Sequence, residues 1–291
     1  MSRYSGRRRR RRRRAPWGIL LCISALTAFF LWSNRSLQTE ATGFRSAHLP
    51  AAFDGFRIVL LSDLHGAEFG EDNAALLERV AAAKPDIIAV TGDLIDREEQ
   101  LAMVPALVKG LAEIAPTYYV TGNHEWGVRR VNDLKELLRE CGVIVLSGNY
   151  VLLEREGEVI AVAGVDDPGG PGGLAAGAVL KEKIAAEQGE IYTLFLSHRD
   201  SLDVYEQWGY DLTLCGHGHG GIFRIPVLNK GVLSTDRTFF PEYDGGLYDL
   251  DGGNACVVSR GLGSNTVPIR AFRLFNRPDL PLVILQRSDL A

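Results

Sequence analysis

Five short segments of this 291-residue chain carry side chains that compete for metal ions: Asp63-Leu64-His65, Gly92-Asp93, Gly122-Asn123-His124-Glu125, Ser197-His198 and Gly216-His217-Gly218-His219. Taken singly each is weak, because Asp-x-His arises by chance and a lone imidazole is more often a structural hydrogen-bonding group. Together they carry weight, since the chain has 6 histidines and all but His48 lie in these segments. Mixed carboxylate, carboxamide and imidazole donors suit Mn, Fe or Zn better than Ca, which prefers oxygen alone. Glycines at 92, 122, 216 and 218 let backbones approach closely or turn through positive φ.

Something must bring these segments together. Each follows a short apolar run that reads as a buried strand: 57–62, 86–91, 117–121, 191–196 and 211–215. Amphipathic stretches at 72–83, 101–114 and 131–141 read as helices, with a further helix running from after Gly173 to about Gln188. Additional strands are expected at 144–146, 151–155 and 159–165, and the closing stretch 247–285 reads as strands and turns. Strands alternating with helices predict a layered α/β fold with mostly parallel central strands. In such sheets ligands bind outside the carboxyl ends of the strands, so five strands deliver their donors to one edge.

The N-terminal region is different. Arg7 to Arg14 form an unbroken basic tract, and residues 15–32 follow without a charge. That run makes about 27 Å of helix, close to the hydrocarbon thickness of a bilayer. A cleaved signal would need a small-residue site soon after, but Thr39 and Ala41 offer only a weak one. Residues 1–14 are therefore expected to be a basic cytoplasmic tail, 15–32 a transmembrane anchor, 33–55 a linker and 56–291 the domain that carries the metal-competent segments, with that domain on the extracytoplasmic side. Residues 1–40 hold ten of the 32 Lys and Arg against one acid, Glu40, which leaves 22 bases against 35 acids in the remainder, a net −13. So acidic a body lacks the footprint of a protein that tracks nucleic acid. Cys22 falls in the anchor, and Cys141, Cys215 and Cys256 show no C-x-x-C spacing, so they read as buried or spare thiols.

The order D-x-H, G-D, G-N-H-E, H and G-H-x-H resembles the calcineurin-like metallophosphoesterase superfamily from Phe56 to Gly220. Gly220-Gly221, Gly164-Val165-Asp166-Asp167-Pro168, Ser259-Arg260-Gly261-Leu262-Gly263 and Pro268-Ile269-Arg270 extend the likeness to the membrane-associated bacterial phosphodiesterases related to YaeI. Gly218 stands where Thr is usual, and the Ser197-His198-Arg199-Asp200 segment lacks a proline often found there. The resemblance implies a four-layer αββα sandwich and a binuclear centre of two divalent ions. Asp63, His65 and His219 would hold one ion, Asn123, His198 and His217 the other, and Asp93 would bridge them. His124 would stay off the metals and act as general acid while a metal-bridged hydroxide attacks phosphorus. Glu125 is either a partner for a ligand histidine or an exposed carboxylate at a helix start, and Arg199, Arg224, Arg260 and Arg270 are either phosphate clamps or structural. The likeness and the anchor imply a lipid or nucleotide-linked lipid phosphate as substrate, at a bacterial cytoplasmic membrane. A lapsed enzyme kept as a scaffold would show a broken ligand set, and none is broken. A nuclease of the same superfamily is disfavoured by the acidic body.

Overall fold

The apolar runs form strands because their side chains alternate between two covered faces. In β2 (Arg57–Leu61), Ile58 and Leu60 point into one buried cluster while Val59 and Leu61 point into another. This computed structural model describes residues 15–170, 172–264 and 273–288. The Arg7 to Arg14 tract and Pro268-Ile269-Arg270 lie outside the described residues.

Before and after β2 come β1 (Ala41–Ser46), β3 (Ile87–Val90), β4 (Thr117–Tyr119) and β5 (Ile144–Val145). The chain continues through β6 (Asn149–Arg155), β7 (Glu158–Gly164), β8 (Thr193–Leu196) and β9 (Leu212–Cys215). A hairpin of β10 (Arg224–Ile225) and β11 (Lys230–Gly231) precedes β12 (Gly246–Asp249), β13 (Ala255–Val258) and β14 (Leu282–Arg287). One six-stranded sheet runs β1-β14-β2-β3-β4-β5 and the other β12-β13-β9-β8-β7-β6. Pairing is parallel from β2 through β5 and from β7 through β9 to β13, as the alternation with helices predicts. Antiparallel partners flank both parallel blocks.

Besides the N-terminal α1 (Ala15–Arg35), the helices are α2 (Ala74–Ala82), α3 (Val104–Ile114), α4 (Asn123–Val128), α5 (Val131–Glu140), α6 (Ala176–Gln188) and α7 (Leu202–Trp208). α2, α3 and α5 cover the outer face of the first sheet through Leu76, Val80, Leu107, Leu111, Leu134 and Leu138. α6 and α7 cover the second through Leu180, Ile184, Leu202 and Tyr205. The inner faces meet over Leu60, Ala89, Val162, Leu194, Leu214 and Val283, which completes four layers.

Three expectations shift. α2 starts at Ala74 because Asp72 and Asn73 turn left-handed, at φ 50° and 62°. Asn73 Oδ1 there accepts the Phe69 N–H at 3.0 Å. α3 starts at Val104, after a 3-10 stretch from Glu98 to Met103. Residues 33–55, read as a linker, are structured: 33–35 close α1, and Ala41–Ser46 join the first sheet as β1, paired in parallel with β14 over six residues. Cys215 and Cys256 are buried thiols on neighbouring strands, turned toward the α6–α7 core. α1 is long and apolar enough to cross a membrane, and from Trp17 its side chains are exposed until its last turns meet the body.

Candidate metal centre

β2, β3, β4, β8 and β9 all end at the same edge, and the residues after them turn abruptly. Asp63, His65, Asp93, His217 and His219 have φ of 52°, 50°, 52°, 72° and 51°, in the left-handed region that non-glycine residues rarely occupy. Each such residue stores about 1 to 3 kcal/mol, tolerated where the surroundings hold it. Gly92 turns similarly at φ 87°, and a Cβ there would strike the Gly122 backbone, while one at Gly122 would overlap the Asp93 carboxylate. The second and third loops therefore touch only because both positions are glycine.

The turns gather all eight candidates. His65 Nε2 lies 2.9 Å from His219 Nε2, and Asp63 Oδ1 lies 3.6 Å from His219 Nε2 and 4.0 Å from His65 Nε2. Beside them, His198 Nε2 is 3.1 Å from Asn123 Oδ1 and 3.1 Å from His217 Nδ1. Between the groups, Asp93 Oδ2 stands 3.8 Å from His65 Nε2 and 3.3 Å from His198 Nε2. Donors bound at about 2.1 Å to one ion sit about 3.0 to 3.4 Å apart at neighbouring corners of an octahedron or tetrahedron. The measured pairs of the second group have that spacing, whereas in the first Asp63 stands wider from both imidazoles, at 3.6 and 4.0 Å. The imidazole and carboxylate chemistry of both groups suits a divalent transition metal. His124 is partly exposed, with Nε2 3.9 Å from Asp93 Oδ2. His48 stands apart, 3.3 Å from Asp211 at the start of β9, at the opposite edge of the sheet.

Second partners fix the rings. His198 Nδ1 donates to the Thr91 carbonyl at 2.8 Å, which leaves Nε2 facing the cluster. Asp96 is the residue that sequence reasoning missed: its Oδ1 lies 2.5 Å from His65 Nδ1 and 2.8 Å from His124 Nδ1. One carboxylate thus orients a candidate ligand and the candidate proton donor, and the available signal was a second acid three residues after Asp93. Glu125 is neither a histidine partner nor exposed. It is buried, and its oxygens accept the backbone N–H groups of Asp93 at 2.9 Å, Leu94 at 2.6 Å and Gly122 at 2.7 Å, tying two loops together.

Charges follow from this packing. Burial opposes ionisation of Asp93, but His198, His65 and His124 outweigh it and hold the carboxyl below the ordinary range. Burial would likewise deprotonate His198, yet the Asp93 charge and hydrogen bond push its pKa up to about 10. Burial, His65 and Arg273 drive His219 well below the usual imidazole range, so that ring is neutral. For His124, the hydrogen bond it donates to Asp96 and the charge of Asp93 overcome burial and raise the pKa. Burial and repulsion from Asp93 lift Glu125 to about 7.

Of the four arginines weighed above, Arg224 and Arg260 are buried structural groups: Arg224 donates to the Gly220 carbonyl at 2.9 Å, and Arg260 pairs with Asp279 at 2.9 Å. Arg270 lies outside the described residues. Arg199 is different, with Nη1 3.5 Å from His217 Nε2 and its guanidinium fork on buried Asp167 at 2.8 and 3.3 Å. Next to Asp167, Asp166 accepts from Thr121 at 2.8 Å and pairs with buried Lys135 at 2.7 Å, which fastens the β7 exit to the β4 exit.

The calcineurin-like phosphoesterase family profile matches residues 56–221. An uncharacterized metallophosphoesterase of Aquifex aeolicus is 30% identical over 265 residues, covering 86% of this chain and 92% of that one. The phosphodiesterase YaeI of Escherichia coli is 28% identical over 238 residues, 79% of this chain and 82% of that one. A transmembrane protein with metallophosphoesterase domain from Danio rerio is 26% identical over 258 residues, 82% of this chain and 55% of that one.

Proposed function

The chain belongs to the calcineurin-like phosphoesterases, metal-dependent hydrolases of phosphoric esters, and on that premise we propose that it is a two-metal phosphodiesterase working at a membrane on a lipid or nucleotide-linked lipid phosphate. The observation that carries the reading is the position of Asp93 Oδ2 between two donor groups, 3.3 Å from one and 3.8 Å from the other. Asp63, His65 and His219 would hold one ion, Asn123, His198 and His217 the second, with Asp93 shared. Bound there, the pair would neutralise phosphate charge and acidify a water enough to supply hydroxide near neutral pH.

The chain's own groups do the rest. Thr91 and Asp96 keep the Nε2 atoms of His198 and His65 turned inward. Asp96 holds His124 by Nδ1, so its Nε2 presents a proton toward the site, where the leaving oxygen of the ester collects it. The hydrogen bond to Asp96 and the charge of Asp93 raise the His124 pKa despite burial, which favours the proton-bearing ring. Arg199, braced by Asp167, offers its guanidinium beside His217 to a non-bridging phosphate oxygen. A diester is favoured because the similar YaeI carries that activity in its name.

α1 is read as an uncleaved anchor, and the bases before it would keep the N-terminus cytoplasmic and the body outside. Protease added to intact spheroplasts should then digest the body, and protection would reverse the topology. The activity reading is tested on the full chain in nanodiscs, reconstituted with Mn, Fe or Zn, by metal analysis and hydrolysis of phosphomonoesters, phosphodiesters and lipid-linked pyrophosphates. Two ions per chain with diester hydrolysis is expected. One ion, or turnover of monoesters alone, would overturn it.

A further inference from the structure

Among the described residues of the body, most of the exposed large apolar side chains gather on one small subdomain next to the metal site, Leu152 and Val179 lying elsewhere. The β10–β11 hairpin carries Val227 and Leu228 at its tip, 93% and 69% exposed, and the following loop carries Phe239 and Phe240 at 70% and 57%. Backbone bonds tie these pieces into one ridge: Arg224 N donates to Leu274 O at 3.0 Å, Val232 N to Phe223 O at 2.8 Å, and Phe240 N to Val232 O at 2.9 Å. Leu274 and Phe275, also exposed, extend it. A soluble protein rarely shows so many large apolar groups on adjoining loops without a partner.

The same ridge is fastened to the end of α1. Phe275 packs on Phe29 with ring centroids 4.8 Å apart, and Arg273 N donates to Asn34 Oδ1 at 2.6 Å while its carbonyl accepts from Ser33 Oγ at 3.0 Å. Arg277 donates to Ser36 Oγ at 2.8 Å and to Leu37 O at 2.9 Å, and its guanidinium covers Trp32 at 5.2 Å. Phe29 precedes Arg35 by roughly 9 Å of helix, so Phe275 touches α1 below the level at which the charged residues begin. Exposed Arg35 and Arg237 flank the ridge, in a body that is otherwise acidic.

We propose that Val227, Leu228, Phe239, Phe240, Leu274 and Phe275 form an interfacial membrane-binding face that dips into the same leaflet as the C-terminal end of α1. This deepens the reading of a membrane-tethered enzyme and rests on it. The partner is the bilayer, because the ridge is continuous with the helix that enters one, and its depth and flanking bases match the boundary between acyl chains and anionic headgroups. The loop between Val232 and Phe240 also reaches the metal site: Thr235 Oγ1 donates to the His217 carbonyl at 3.0 Å, and Asp236 lies 3.5 Å from His217 Nε2. Seating the ridge would bring the site mouth to headgroup level, where a phosphate ester carried by a lipid enters without leaving the membrane.

The test places an environment-sensitive fluorophore on Leu228→Cys in a full chain carrying Cys22→Ser and Cys141→Ser, since Cys215 and Cys256 are buried. The chain is reconstituted into vesicles of zwitterionic and anionic phospholipid. A nitroxide placed high on the lipid acyl chain should quench the probe by about half or more, and iodide should quench it about threefold less than the same probe at Glu154→Cys on exposed β6. Quenching by iodide but not by the lipid nitroxide overturns the proposal. Shielding from both also overturns it, because the cover is then protein. A matched probe on native Cys22 reports whether α1 lies in lipid, which separates failure of the anchor reading from failure of the ridge. Catalysis does not enter the measurement, so an inactive enzyme with a lipid-buried ridge would sink only the proposed reaction.

Discussion

Replacing Asp96 by Asn tests whether one carboxylate serves both a metal-facing and a proton-donating histidine. The amide oxygen retains two acceptor sites for the imidazole N–H groups that now stand 2.5 and 2.8 Å from Asp96 Oδ1, so geometry can survive while charge is lost. Burial raises the Asp96 pKa, but hydrogen bonds from His124 and His65 overcome it and keep the group ionised across the working pH range, which makes the lost charge a full one. A charge-assisted bond exceeds a neutral one by about 1 to 2 kcal/mol. If that difference falls on the proton-transfer step, kcat on an alkyl diester drops about 5- to 30-fold. The assay is a series of diesters of graded leaving-group pKa, with metal content measured on the same preparations. Asp96→Asn should retain its metals and show a steeper dependence on the leaving group, because His124 holds its proton less well. An equal loss on aryl and alkyl esters would refute the reasoning, since Asp96 would then act through His65 and the metals alone.

Three further outcomes follow from the same geometry. Asp93→Asn should lose metal and activity together, whereas His124→Ala should keep its metals and lose about 10² to 10⁴-fold in the chemical step, less on activated esters; metal loss in His124→Ala would make it a ligand. Arg199→Ala should lower kcat/KM about 10- to 100-fold, mainly through KM, as removal of a charged phosphate contact does, and unchanged kinetics would return Arg199 to a structural role beside Asp167. In the metal-free protein His198 has a pKa of about 10 and is protonated at pH 7.5, so an incoming ion must displace that proton. Metal affinity should therefore rise about tenfold per pH unit through neutrality, and calorimetry in two buffers should register the released proton; no release would contradict the Asp93–His198 pairing.

The donors were legible in the sequence because chemistry and strand pattern coincide there. Each short buried run is followed within two residues by Asp, Asn or His, and a parallel sheet can use such residues only at its carboxyl edge. What stayed hidden depends on partners distant along the chain. Glu125 read as a helix-start carboxylate with equal claim to solvent, because the three backbone N–H groups it accepts come from the β3 and β4 exits, 31 or 32 residues away for two of them. Asp96 sat in view, but only the fold brings His65 and His124 to the same oxygen.

The segment after α1 makes the strongest case. Ala41–Ser46 is a polar, glycine-containing stretch that no local propensity marks as a strand, and it becomes one because β14, more than 230 residues later, leaves an edge to be paired. Once paired, residues 33–46 connect the end of α1 to the first sheet by backbone bonds: Leu280 N to Gln38 O at 2.8 Å and Leu282 N to Glu40 O at 2.9 Å. A free tether would let the body turn relative to α1 and would leave the facing of the metal site to chance. This one contributes buried Leu37 to the core and bonds Asn34 directly to Arg273, whose guanidinium lies 3.4 Å from His219 Nδ1. The path from α1 to a candidate metal-binding histidine therefore runs through packed side chains and hydrogen bonds throughout, and the orientation of the site relative to α1 is set by the fold.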